Sequence, residues 1–310
     1  MLFPSTLVIN QQNLNIDLMK EYSKEWSIER QQVQKGLYCG SIIAVHTPFI
    51  QISFSEGSHG QLILGDFPKN TILLFLIVTD GIASFQGKPI QCNELVVIQS
   101  GDEIDILINS KSYAFTIAIE ETLFRDSFES YFLKSVDTIL EGKRLLVNSS
   151  KKEIFETKLK KWIEYFGSNT FTLKKEKEYI QIENRILEDI FRTLLVDVKK
   201  VNRVKFDIKN VRDKLHESLI DTEISISTIS HELSISQRQL HHSFKNSYGI
   251  SPKQYLQVLR LNKVRRELLY ATSKSITVSE IAFKYGFTHL SHFSKLYKDM
   301  FHELPSKTLN

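Results

Sequence analysis

The sequence predicts an α+β multidomain protein: an N-terminal β-barrel or sandwich, a helical connecting region and a C-terminal all-α domain with two helix-turn-helix motifs. Three observations carry this. The chain has 310 residues, more than a single hydrophobic core usually serves. Short apolar runs alternate with turn residues from about Tyr38 to Ile119, and the apolar period becomes helical from about Glu121. From about Phe206 the helical segments shorten and are broken by Gly, Pro and Ser. The expected domains are therefore 1–120, 121–205 and 206–310.

In the first region the runs are Ser41–Val45, Gln61–Leu64, Thr71–Val78, Leu95–Gln99, Ile104–Ile108 and Ala114–Ile119. Ile, Val, Leu and Phe dominate them, as suits a pleated surface. Between them lie Ser55 to Ser58, Asp66-Phe67-Pro68, Asp80-Gly81, Gly87-Lys88-Pro89 and Gly101-Asp102. Asp80-Gly81 is expected to close a tight hairpin, because Gly tolerates the positive φ such a turn needs. Short strands at this spacing suit an antiparallel barrel or sandwich.

Three amphipathic stripes mark the middle region: Phe124, Phe128, Tyr131, Phe132; then Phe155, Leu159, Trp162, Ile163, Phe166; then Ile186, Ile190, Phe191, Leu194, Leu195, Val198. Each repeats at helical spacing and so buries one face. The third stripe suits a homodimer interface and intradomain core equally. The lysines around the second (Lys151, Lys152, Lys158, Lys160, Lys161) read as a solvated face.

Composition narrows the class. With 42% apolar residues the chain is not disordered, and 12 Gly with 6 Pro exclude a collagen-like scaffold. Cys39 and Cys92 make no metal or redox spacing and are expected to be reduced thiols. Met1 to Gln11 does not read as a signal peptide, and the longest apolar run, Ile72–Val78, is too short to span a bilayer. A cytoplasmic protein without membrane association is expected.

The C-terminal region contains a repeat. Ile229, Ser230, Ser234 and Ile235 match Ile281, Ala282, Gly286 and Phe287 at an offset of 52. Leu240, Phe244 and Pro252 match Phe293, Tyr297 and Pro305 at an offset of 53, so one residue slips between the turn and the next helix. In each half a small residue lets a second helix approach. A three-residue turn follows, and Ser236 or Thr288 is the expected N-cap. This is the pattern of a helix-turn-helix, whose second helix reads the major groove of double-stranded DNA. With Leu240 and Phe244 inward, Arg238, His241, His242 and Lys245 face outward. With Phe293 and Tyr297 inward, Ser291, His292 and Lys295 do. These side chains suit base edges and phosphates. A helix over Pro252–Ala271, capped by Ser251, would space the readers by roughly 30 Å, near the roughly 34–36 Å between successive major grooves.

Charge follows the same division. The whole chain is only +4, but residues 222–310 hold 12 Lys+Arg against 6 Asp+Glu, while residues 1–221 hold 28 against 30. Seven of the nine His also fall between His216 and His302. A basic module on a near-neutral partner is the footprint of nucleic-acid binding.

The stretches Gly249-Ile250-Ser251-Pro252-Lys253-Gln254-Tyr255-Leu256, Leu259-Arg260-Leu261 and Ser279-Glu280-Ile281-Ala282-Phe283-Lys284-Tyr285-Gly286-Phe287 carry a resemblance. Residues from about Val211 to Leu309 resemble the DNA-binding domain of the AraC family of transcription regulators. The ending, with Glu303-Leu304-Pro305-Ser306-Lys307-Thr308-Leu309, is similar to the branch that includes ethanolamine-utilisation regulators. Gly87 to Ile119 resembles that branch's cupin-like sensor. The resemblance implies base contacts from Arg238, His241 and His242 in the first reader and from Leu290, Ser291, His292 and Lys295 in the second. It also implies activation through RNA polymerase. His242 and His292 stand where Arg is usual, and His302 follows Phe301 where Gly is common, so target sequence does not transfer from relatives.

Enzymatic readings are weaker. His46, His59 and Glu56 are the candidate ligands for a metal-dependent cupin-type enzyme with a DNA-binding appendage, and no H-x-H occurs among them. His289 with His292, and His241 with His242, could hold a metal but suit DNA contacts better. No phosphate-loop, serine-hydrolase or H-E-x-x-H motif is present. Arg260 and Glu280 are expected to form a structural ion pair. The reading is a non-enzymatic, cofactor-free transcription regulator gated by a small-molecule effector. The alternative within that class is a β domain that binds a protein.

Overall fold

The computed structural model describes residues 3, 8–20, 26–92, 94–142, 144–147, 151–167, 176–195, 208–219, 225–271 and 276–309. The expected boundary at 205/206 and the stripe residue Val198 lie outside them. In the N-terminal part, strands β1 (Val8–Leu14), β2 (Ser27–Gln32), β3 (Gly40–His46), β4 (Ile50–Gly57), β5 (Gln61–Asp66), β6 (Thr71–Thr79), β7 (Ala83–Phe85), β8 (Lys88–Pro89), β9 (Glu94–Gln99), β10 (Ile104–Ile108) and β11 (Ser112–Glu120) form two antiparallel sheets. Helices α1 (Glu121–Phe132) and α2 (Asp137–Gly142), strand β12 (Arg144–Val147), helices α3 (Lys152–Gly167) and α4 (Glu176–Phe191), and strand β13 (Leu194–Leu195) follow. The larger sheet has the order β1-β3-β4-β11-β6-β9-β12-β13, the smaller β2-β5-β10-β7-β8.

Strand alternation explains why so many strands read as unbroken apolar runs. On β6, Ile72, Leu74 and Leu76 pack against Phe124, Phe128, Ile186 and Phe191 of α1 and α4. The intervening Leu73, Phe75 and Ile77 pack between the two sheets with Val96, Ile98, Ile104 and Ile106. A strand buried on both faces has no polar side to show. The smaller sheet is also covered twice. Ile63 and Ile106 point into the sandwich, whereas Leu62 and Leu107 point outward into the core of the C-terminal helices. The molecule is thus layered: helices, sheet, sheet, helices.

Two sequence expectations change here. Asp80-Gly81 does not close a hairpin, because β6 and β7 lie in different sheets and Gly81 lacks a positive φ. The two-residue hairpin is instead Gln86-Gly87, with φ of 49° and 71°, between Phe85 and its partner Lys88. The third stripe is not one helix. It ends at Phe191, and Leu194 and Leu195 pair with β12. Its residues Ile186, Ile190, Phe191 and Leu194, with Leu187 beside them, fill the core beneath the larger sheet, so this face is intradomain.

Seven helices form the described C-terminal part: α5 (Ile208–Glu217), α6 (Ile226–Glu232), α7 (Gln237–Tyr248), α8 (Pro252–Leu269), α9 (Val278–Lys284), α10 (Leu290–Phe301) and α11 (Pro305–Thr308). Ser225, Ser236, Ser251 and Thr277 each cap a helix, and the backbone N–H of each donates in return to the N3 side chain. The spacer α8 stops at Leu269, two residues before the expected end, and its 18 residues span about 27 Å.

Candidate nucleic-acid interface

The two halves of the repeat fold alike. Ser230 and Ala282 are buried where the paired helices meet. Ser234 and Gly286, 52 residues apart, both adopt positive φ, at 52° and 78°. Helices α6 and α9 start 52 residues apart and α7 and α10 start 53 apart, so the slip sits in the turn, as the sequence requires. That slip also moves the second cap. His289, not Thr288, occupies the N-cap of α10, and its side chain makes no capping bond.

Leu240, Phe244, Phe293 and Tyr297 are completely buried. Arg238, His241, His242 and Lys245 consequently lie on the exposed face of α7, and Ser291, His292 and Lys295 on that of α10. Arg238, Gln239, His241, His242 and Lys245 together line an open hollow. His242 shares a 3.2 Å hydrogen bond with Asn246 one turn on. Leu290 differs from the others: it is half-buried and packs against the helical core. Each helix therefore presents a short row of cationic and hydrogen-bonding side chains backed by aromatic packing.

Other basic residues are engaged elsewhere. Glu29 on β2 accepts from Lys263 at 3.3 Å and pairs with Arg266 at 3.0 Å, both on α8. Arg265 pairs with Asp17 at 2.9 Å and with Glu303, while stacking over Phe301. Part of the excess positive charge thus meets the β domain rather than solvent. Asn262 completes this seam with two bonds to the backbone of Gln32, at 3.1 and 2.8 Å. Gln32 in turn donates through Nε2 to the Met300 carbonyl at 2.9 Å, at the end of α10. On α5, Arg212 forms a buried ion pair with Asp105 on β10.

The expected Arg260–Glu280 pair does not form. Glu280 accepts the backbone N–H of the cap residue Thr277, and Arg260 donates to the Ser218 carbonyl at 3.4 Å. The candidate metal ligands are also apart in role. His46 is buried against Gln51, His59 meets Ser58 at 2.8 Å, and Glu56 accepts from Ser41 at 3.4 Å. Among the described residues no three His, Cys, Asp or Glu converge on a possible metal. Cys39 and Cys92 are free and exposed. Among the described residues no helix is long and apolar enough to cross a membrane.

The duplicated motif and its two outward rows define a tandem helix-turn-helix protein with a β-sandwich in front. Comparison with known proteins agrees. A helix-turn-helix domain family matches residues 215–310. The chain is 35% identical over 86 residues to a probable thc operon regulatory protein of Rhodococcus erythropolis, covering 28% of this chain and 26% of that one. It is 33% identical over 93 residues to the XylDLEGF operon transcriptional activator of Pseudomonas putida, covering 30% and 29%. A solved structure of a probable AraC family transcriptional regulator from Rhodopseudomonas palustris CGA009 is 30% identical, covers 33% of this chain and 93% of that one, and has a TM-score of 0.31. The chain spans less than a third of the length of these curated relatives. Residues 215–310 thus form a helix-turn-helix domain similar to those of known transcription regulators, AraC-type regulators among them.

Proposed function

We propose that this chain is a cytoplasmic, one-component transcription regulator that binds promoter DNA through α7 and α10. The carrying observation is the pair of matched helix-turn-helix units, each with an exposed polar row (Arg238, His241, His242 and Lys245; Ser291, His292 and Lys295) over a fully buried aromatic or aliphatic pair. Leu290, half-buried at the first turn of α10, is the apolar member of the second reader. Residues 206–310 act as the DNA-binding domain, 1–120 as the sensor and 121–205 as the helical layer behind it. The sensor takes a small-molecule effector, and its contacts with α5, α8 and α10 carry the signal. An effector shifts the balance between DNA-competent and incompetent arrangements by binding them unequally. Activation, through RNA polymerase, is supported by the similarity to the Pseudomonas putida relative, which is named a transcriptional activator. The chain acts without catalysis, and a second copy binds a second half-site as a homodimer.

Lys245→Ala is expected to weaken binding to every duplex and lower the salt slope by about one. Arg238→Ala is expected to cost about 1–3 kcal/mol and relax preference at one base pair. Quantitative binding to promoter fragments across a salt series checks both. Unchanged affinity, slope and preference in both variants would remove α7 as a reader.

A further inference from the structure

Strand alternation puts polar side chains where a sandwich normally holds apolar ones. On β4, Ile50, Ile52 and Phe54 face the outer helices. Gln51, Ser53 and Ser55 therefore line the space between the sheets. Thr116 of β11, the register partner of Ser53, lines it too. Across from them stands Arg30 of β2, the register partner of the inward Ile63.

Among the described residues Arg30 has an amide but no carboxylate for a partner. Its Nη1 donates to Gln61 Oε1 at 2.8 Å, but its Nε is sealed from solvent without an acceptor. Among the described residues no carboxylate lies within ion-pair distance of it. Burial pulls its pKa below the usual value, with Tyr38 acting in the opposite sense. An uncompensated buried cation is costly, and a carboxylate taking two parallel N–H bonds is the geometry that compensates a guanidinium best. The neighbouring void of about 40 Å³ has room for roughly three waters, which is the size of a short acid. Trp26, Ile42 and Phe75 supply an apolar wall.

We propose that the interior of the β-sandwich binds a short-chain carboxylic acid as its carboxylate, held by Arg30 and by the hydroxyls of Ser53, Ser55 and Thr116. This rests on the reading of the β domain as a sensor and names the chemistry sensed. The same strand links the site to the DNA-binding helices. Arg30 faces inward on β2, and its neighbour Glu29 faces outward to Lys263 and Arg266 on α8. An acid that draws on Arg30 acts on the strand that grips the spacer between the two readers.

The test is calorimetric titration of the full chain at pH 7 with acetate, propionate and butyrate, and with the corresponding amides. At least one carboxylate is expected to bind at one per chain, about tenfold or more tighter than its amide. Arg30→Met is expected to abolish that preference. It is also expected to melt no lower than the wild type without ligand, because it removes a half-buried charge that has no carboxylate partner among the described residues. Ser53→Ala is expected to weaken the same carboxylate several-fold in a protein of unchanged melting temperature. Absence of binding by all three acids, equal binding of acid and amide, or full binding by Arg30→Met overturns the proposal. A lower melting temperature of unliganded Arg30→Met makes Arg30 structural and overturns it as well. Promoter binding measured on the same samples is a separate readout: its loss with acid binding intact defeats the regulator reading and leaves this site standing.

Discussion

At the residue scale, periodicity decided which side chains face DNA and chemistry decided what they can do there. Arg238 and Lys245 are exposed and form no ion pair among the described residues, whereas Lys263, Arg265 and Arg266 are paired with the β domain. Net charge alone could not separate these groups, since each of these cations counts the same toward the +4 of the whole chain. His216 behaves differently from the histidines on the readers. It shares a 2.9 Å hydrogen bond with the Tyr255 hydroxyl inside the helical core. Burial, reinforced by nearby Arg212, pulls its pKa down to about 4. The unfolded chain therefore binds more protons than the folded one between about pH 6.5 and 4. Stability is expected to fall as pH drops through that window, by up to about 3 kcal/mol from this residue, and then level off. Urea melts of the wild type and His216→Gln at pH 7 and pH 5 check this: the wild type loses more stability between the two.

At the element scale, backbone conformation explains where sequence expectations held and where they moved. Four helices begin at the Ser or Thr that supplies the cap, because a side-chain oxygen satisfies an N–H that the helix leaves open. The second reader lacks this, since the slipped register places His289 at the cap. His302 ends α10 at a φ of 58°, so the turn usual for Gly is kept by a residue that pays steric strain there. His302→Gly is expected to stabilise the protein by about 0.5–1 kcal/mol, read by chemical denaturation. The hairpin at Gln86-Gly87 is a case in which contact and conformation both demand glycine. A Cβ on Gly87 would stand 2.1 Å from Ile208 Cγ2, and φ there is +71°. Gly87→Ala is expected to destabilise by about 1–3 kcal/mol and to loosen α5 from β8. Denaturation together with amide exchange in α5 measures both effects.

At the scale of the whole molecule, the two functional parts share one seam. Arg212, nearly sealed from solvent, meets Asp105 there, while Asp213 and Glu103 (3.8 Å) lie on its exposed side. Burial raises the Asp105 carboxyl above its usual range, and the Arg212 guanidinium opposes that. Removing Asp105 takes away the only fully buried partner of Arg212 among the described residues and leaves Asp213 and Glu103 at its exposed side, whereas replacing both buried groups by apolar ones leaves no charge inside. Asp105→Asn is therefore expected to cost about 1–3 kcal/mol, and Asp105→Leu with Arg212→Met to stay close to the wild type. A double-mutant cycle by urea denaturation provides the comparison. If the seam also transmits signal, the single variant alters promoter affinity more than the double variant does.

Local chemistry was enough to write down much of this protein. The apolar strands β3, β5, β6, β9, β10 and β11, the caps Ser236 and Ser251, the one-residue slip and the buried faces of α7 and α10 follow from residue type and spacing. These depend on neighbours a few positions away, which the sequence states directly. The destination of each face depends on what lies across from it. Ile50 to Ser55 form a strand that the apolar runs did not reveal, because Gln51, Ser53 and Ser55 interrupt it; its polar side turns toward the second sheet because helices cover the other. Asp80-Gly81 reads as a hairpin, yet the chain crosses between sheets there. The +6 of residues 222–310 reads as a single DNA-facing field, yet three of its cations turn to Glu29 and Asp17. Alternation and period are local properties. Which side of a strand becomes interior, and which charge finds a partner, are settled only when distant segments pack together.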